Sequence, residues 1–310
     1  MVFVFITLND FLGNHQRDKI VSFVVNNAII VVDMLLIYSA VISTLRRSTW
    51  KKFIKKMDLL HKYYQFQDDN LIKTLADVIG FFVIHGILLY ITYLFYEFQE
   101  RAVSTFSAVV LAFPTVQLTY QYLQMTTILV IIQEIKRNLE KVSKHVEFKG
   151  MNLKKAKMCY LNTQENVNCF NKIFGYQIFL SFAYWILAFE SICLYLFENY
   201  KHRYKTTIDF ELIFFFVVFM SLISASLLAV VFSCDGISAE CRKLIDYISD
   251  VQEMLHRKSL EYMELESLIF YIQNNQLSFT AAGFFEIKSS SVLALIATST
   301  THFIALSQFY

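Results

Sequence analysis

The groups in this sequence that could do chemistry are polar side chains set inside long apolar runs. Ser22, Asn26 and Asp33 share one helical face in the run 20–45, and His85 stands beside Gly86 in the run 74–97. Gln117, Gln121 and Gln124 recur at i, i+4 and i+7 within 103–133, while Trp185 and Glu190 fall late in 173–197. Such groups are costly at the centre of a bilayer and are found facing a bundle interior or a hydrated cavity. Taken singly, each is satisfied by a hydrogen bond to a neighbouring helix, and a lone histidine such as His85 is more often a packing residue than a ligand. Spread over four runs, they exceed what packing needs. The economical arrangement is a hydrated small-molecule pocket opening outward, lined by Asn26, Asp33, His85, Gln117, Gln121 and Trp185. Aromatic residues make up 16% of the chain; they suit such a pocket and lipid-facing positions equally.

A second candidate lies in the closing run, 289–310. At ~100° per residue, Ser290, Ser291, Ala294, Ala297, Thr298, Thr301, Ala305 and Gln308 fall on one face. Val292, Leu293, Leu295, Ile296, Phe303 and Leu306 point mostly the other way. A small and polar stripe along an apolar span either admits another helix at close range or lines water. Gln308, a primary amide at the end of the stripe, favours water or a partner amide. Phe309 lies ~100° further round, so a helix rotation would exchange an amide for a phenyl group, which can dewet a passage. The stripe carries no acid, so a path along it would discriminate poorly among cations. His302 adds a group of a type that changes charge near neutral pH.

Other chemistry is absent. The sequence has no G-x-G-x-x-G, P-loop, H-E-x-x-H or nucleophile elbow, and its carboxylates are scattered, which excludes the common catalytic arrangements. Cys159, Cys169, Cys193, Cys234 and Cys241 show neither C-x-x-C nor metal-ligand spacing, so no disulfide framework, metal or cofactor is expected. A net charge of +2 gives no reason to expect a nucleic-acid partner.

The elements that must position these groups follow from composition. Hydrophobic residues are 56% and charged residues 17%, with a mean hydropathy of +0.45; soluble domains are ~25% charged. The chain is therefore all-α, a polytopic helical bundle in a lipid membrane. Six complete spans are legible, at 20–45, 74–97, 103–133, 173–197, 209–234 and 289–310. Pro114 kinks the third, which continues with helical spacing from Thr126 to Val146. The connections at 46–62 and 136–157 carry fifteen Lys/Arg against four at 98–102 and 198–208. The positive-inside rule puts the first two in the cytosol and the C-terminus outside. Met1–Leu8 is apolar but too short to span, and it lacks the basic region and cleavage site of a signal peptide. The organisation expected is a bundle over 1–234, a cytosolic segment over 235–288 with two helices in 236–282, and the final span 289–310. Leu265 and Leu268 are its clearest apolar pair.

Thr301-His-Phe-Ile-Ala-Leu-Ser-Gln-Phe309 resembles the C-terminal signature of insect gustatory receptors, in which Thr-Tyr and Gln-Phe flank five apolar residues. The segment Phe279-Thr-Ala-Ala-Gly-Phe-Phe-Glu-Ile287 resembles that family's approach to its last span. Arg137-Asn138-Leu139 is similar to the end of its long third-run helix. Tyr160-Leu161 through Asn168, Asn171, Phe174-Gly175 and Gln177 resemble its amphipathic approach to the fifth span. His302 departs from the family's Tyr, and Ser307 puts a hydroxyl in an apolar slot. The resemblance implies seven spans, so Met1–Leu8 reads as the tail of a first span, which would return the N-terminus to the cytosol. It further implies a plasma-membrane, ligand-gated, non-selective cation channel sensing a small-molecule tastant (a sugar or a bitter compound). Such a channel is a homo- or hetero-tetramer whose final spans surround the pore, with Thr298, Thr301, His302, Ala305, Gln308 and Phe309 lining it, and the 235–288 segment is an anchor holding subunits together. A related odorant-receptor-type subunit working with a partner is the second reading. A secondary transporter is disfavoured by the lack of inverted repeats, and a G-protein-coupled receptor by the charge asymmetry.

Overall fold

A computed structural model describes residues 31, 32, 34–64, 120, 121, 123–140, 153–201 and 210–308. In chain order these give α1, ending with Met34–Leu45; α2, Arg47–Tyr64; α3, reaching residue 140; and α4, Leu153–Lys201. There follow α5, Phe210–Glu253; α6, Leu260–Asn274; a hairpin of β1, Thr280–Ala281, and β2, Phe285–Glu286; and α7, Ser289–Ser307. Span 74–97 and the proposed kink at Pro114 lie outside the described residues.

Helix length separates two regions. The 49 residues of α4 extend ~74 Å, and the 44 of α5 ~66 Å, against a hydrocarbon core of ~30 Å. Each rod has an apolar half and an amphipathic half. In α4 the amphipathic half comes first (Leu153 to Lys172); in α5 it comes last (Asp235 to Glu253), because the two helices run antiparallel. The spans expected at 173–197 and 209–234 are thus parts of longer unbroken helices. We call the amphipathic side the polar end of the molecule.

At that end α2 packs along α4. Trp50, Phe53 and Met57 recur at i, i+3 and i+7, and Phe53 is buried. Trp50 meets Phe174 edge-on at 5.5 Å, and its indole N–H donates to the Ser43 carbonyl at 2.9 Å, bridging the break at Arg46 that separates α2 from α1. Lys56 pairs with Glu165. Helix α6 is started by Ser259, whose hydroxyl accepts from the Tyr262 N–H. Its Leu265, Leu268 and Ile272 are buried against the chain's own core. Residues 236–282 hold two helical stretches, the end of α5 and then α6, followed by non-helical chain entering a hairpin. The hairpin pairs Thr280 with Glu286 and Ala281 with Phe285. Its turn needs left-handed backbone at Ala282 and Gly283 (φ 55° and 79°), which glycine adopts without strain. Beyond it α7, 19 residues long or ~28 Å, packs on α4 and, more lightly, on α5. Its first turn is tied to α5, where the Ser289 N–H and hydroxyl both donate to Asp235 Oδ2.

Candidate functional site

Helix α7 is held to the bundle by a narrow face. Val292, Leu295 and Phe303 are half-buried and Ser299 is 1% exposed. The stripe lies on the open side: Ala294, Ala297, Thr298, Thr301, Ala305 and Gln308 are all exposed. Leu293 and Ile296, expected to face away from it, are 69% and 44% exposed and, with Ile304, form an apolar flank beside the stripe. The stripe hydroxyls have a fixed polarity. Thr298 donates to the Ala294 carbonyl at 2.8 Å and Thr301 to the Ala297 carbonyl at 2.9 Å. With each proton committed to the backbone, the oxygen lone pairs point outward as acceptors. At those two positions the surface can solvate a cation and has no proton to offer an anion. Phe309 lies outside the described residues.

His302 sits where the stripe meets the packed face. Its Nδ1 is 3.4 Å from Glu190 Oε1 on α4, with the Glu190 side chain 3% exposed. The carboxylate oxygen has no hydrogen bond of good geometry, and the imidazole is the polar group beside it. The contact joins the open-sided helix to the bundle within one subunit. The sequence singled out both residues, Glu190 as a polar group in an apolar run and His302 as a histidine in the last span, but not their meeting.

Of the pocket residues, Asn26, Asp33, His85 and Gln117 lie outside the described residues. Gln121 is 7% exposed, and its Nε2, like both amide atoms of its neighbour Gln124, is buried with no hydrogen-bond partner among the described residues. Buried amides in this state need water or a ligand. Trp185 is partly buried, stacked on Phe189 at 5.8 Å, and its indole N–H donates to Ser224 Oγ on α5 at 2.8 Å. The indole donor is thus engaged between helices, and only the ring face is available to a ligand.

The link from α4 to α7 runs through the hairpin. The Asn171 amide donates to the Ser278 carbonyl at 2.9 Å, and its oxygen accepts the Thr280 N–H at 3.0 Å. Phe279 packs edge-on against Phe170 at 5.3 Å. Gly175 permits the contact, because a Cβ there would lie 3.0 Å from Ala282 N and 3.1 Å from Thr280 O. Tyr160 donates to the Asn275 carbonyl at 2.6 Å, and Tyr271 to Gln164 Oε1 at 2.9 Å, fastening α6 to the same rod. Burial pushes the Tyr160 phenol well up. Burial, with Glu240 adjacent, pushes the Cys241 thiol up to about 12, leaving it unreactive at neutral pH. Among the described residues no cluster of His, Cys, Asp and Glu is arranged to hold a metal.

An antiparallel helical bundle with apolar halves of membrane-spanning length and a hairpin-docked last helix defines the class. The sequence profile of the 7tm Chemosensory receptor family matches residues 1–310, and the chain belongs to that family, one of receptors rather than enzymes. Its fold is that of the insect olfactory receptor OR5 from Machilis hrabei. The structure of that receptor in complex with eugenol superposes with a TM-score of 0.59 at 13% identity, covering 94% of this chain and 82% of that one. Its structure described without eugenol gives 0.52 at 13% identity, with 93% and 82% covered. No curated protein matches the chain.

Proposed function

We propose that this chain is a gustatory-type subunit of a ligand-gated, non-selective cation channel, assembled as a tetramer and opened by a small-molecule tastant. The observation that carries this is the open side of α7, where a stripe of small residues, its Thr298 and Thr301 hydroxyls turned outward as acceptors, is left uncovered by its own subunit. In a four-fold assembly that stripe turns inward and the Leu293–Ile296–Ile304 flank meets the neighbouring α7. With no carboxylate on the stripe, cations pass with little discrimination. The tetramer is held at the polar end by the outer side of α6, where Leu260, Met263 and Phe270 are 71%, 53% and 68% exposed. Leu265 and Leu268, the pair that periodicity suggested, are covered within the subunit. Ligand is received in the apolar half by Gln121, Gln124 and the face of Trp185, together with Asn26, Asp33, His85 and Gln117. The Lys/Arg asymmetry orients the protein in the plasma membrane with its polar end in the cytosol and its C-terminus outside.

Current recording from cells expressing the chain alone and with candidate partner subunits, against a panel of sugars and bitter compounds, tests the proposal. A tastant-evoked current with little selectivity between sodium and potassium is expected. Second-messenger signalling without a direct current would overturn the channel. An odorant-receptor-type subunit is the second reading, favoured by the likeness of fold to an olfactory receptor solved with eugenol. It predicts current only with a co-expressed partner and with volatile ligands.

A further inference from the structure

The break between α1 and α2 gathers cations that make no ion pair with a carboxylate among the described residues. Arg46 and Arg47 stand at the break, and Lys51, Lys52 and Lys55 follow; Arg47 and the three lysines are exposed. The fold adds Lys172, exposed on α4, because the Arg46 guanidinium donates to the Lys172 carbonyl across 126 residues of chain. Among the described carboxylates of this region, Glu165 is engaged by Lys56, and Asp58 has an interaction of its own. The first turn of α2 carries no acid. Immediately before the break, α1 exposes Met34, Tyr38, Val41 and Leu45, at 55%, 63%, 51% and 69%, a strip of apolar side chains ending one residue before Arg46.

An apolar strip ending on a cluster of such cations has the shape and polarity of a lipid. We propose that the α1–α2 junction binds a polyanionic phospholipid, its acyl chains along the exposed side of α1 and its phosphates on Arg46, Arg47, Lys51, Lys52 and Lys172. From Arg47 to Lys55 is eight residues, ~12 Å of helix, too long for one phosphate to engage and suited to a headgroup carrying several. Topological sorting alone calls for Lys/Arg at this level. It does not call for Lys172 beside Arg46, or for a continuous apolar strip ending there. The assignment to the inner leaflet rests on the orientation proposed above, whereas the binding itself does not.

Full-length protein in detergent is titrated with phosphatidylinositol 4,5-bisphosphate, phosphatidylcholine, or soluble inositol trisphosphate, and adducts are read by native mass spectrometry. The bisphosphate lipid is expected to bind saturably and at least tenfold more tightly than either other compound. Arg47→Gln with Lys51→Gln and Lys52→Gln should weaken it roughly 100-fold, each cation contributing about fivefold. Arg47→Lys with Lys51→Arg and Lys52→Arg should preserve it. Where the triple glutamine variant does not purify, Lys52→Gln alone, at an exposed position, should cost about fivefold. Equal retention of phosphatidylcholine, unchanged binding in the glutamine variants, or loss in the charge-preserving variant would each overturn the site. Binding of soluble headgroup as tight as that of the lipid would make it a site for free phosphates instead.

Discussion

Replacing Gly175 by Ala tests whether the hairpin that leads into α7 is seated on α4. The new methyl would lie 3.0 Å from Ala282 N and 3.1 Å from Thr280 O, where ordinary carbon contacts begin near ~3.5 Å. Both atoms are backbone, so neither can swing aside, and the hairpin must lift by about 0.4 Å. Lifting stretches the Asn171 bonds to Ser278 and Thr280, now 2.9 and 3.0 Å, and loosens Phe279, which is 3% exposed. Overpacking of this kind costs about 1–3 kcal/mol. Against it stands a gain of ~1 kcal/mol for alanine over glycine inside a helix. The balance is a loss of about 0–2 kcal/mol, centred on ~1 kcal/mol, seen as an apparent melting temperature a few degrees lower in detergent. Asn171→Ala should cost a similar amount, and the double variant less than the two combined, since both act on one contact. Evoked currents should fall more than surface expression does. An alanine variant as stable as the parent, or more so, would mean that helix propensity alone is felt and the hairpin is not held at Gly175.

Charged substitutions at Leu260, Met263 and Phe270 should dissociate the tetramer in native mass spectrometry while leaving folded monomer; Leu265→Asp and Leu268→Asp should instead abolish folded protein, because those side chains are 4% and 2% exposed. Cysteines at Thr298, Thr301 and Ala305 should react with water-borne thiol reagents when the channel opens, whereas one at Ser299 should stay protected; native Cys241 adds no background, its thiol being pushed up to about 12. The contact between His302 and Glu190, 3.4 Å apart, ties α7 to α4, so His302→Tyr and Glu190→Gln should each change the evoked current, and the double variant should change it less than the two combined. Fully additive effects of the two substitutions, measured as dose–response curves, would break the pairing. Epitope tags should show the C-terminus outside and the 46–62 segment inside, judged by staining with and without permeabilisation.

Helical faces were legible in the sequence because the period of 3.6 records which side of a helix is small or polar. The stripe through Thr298, Thr301 and Ala305 lies together on the open side for that reason. Periodicity does not record what covers a face. Leu265 and Leu268 have the spacing of a subunit contact and serve inside one subunit, where the same spacing is equally useful. Glu190 and His302 are far apart in sequence, and nothing local to either marks the other. The resemblance at Asn171, Phe174-Gly175 and Gln177 pointed to the right segment without its reason, which is the seat for residues 278–282. Asn26, Asp33, His85, Gln117 and Phe309 lie outside the described residues.

The unbroken α4 has a mechanical consequence. If Gly175 is taken as its fulcrum, Glu190 stands ~22 Å away on one arm and Leu153 ~33 Å away on the other. A tilt that moves the Glu190 end by ~1 Å swings the far end by ~1.5 Å in the opposite sense. Displacement grows toward the polar end and force grows toward the apolar one. A weak hold on the polar end of the rod, through α2 or α6, therefore acts with leverage on the contact that Glu190 makes with α7.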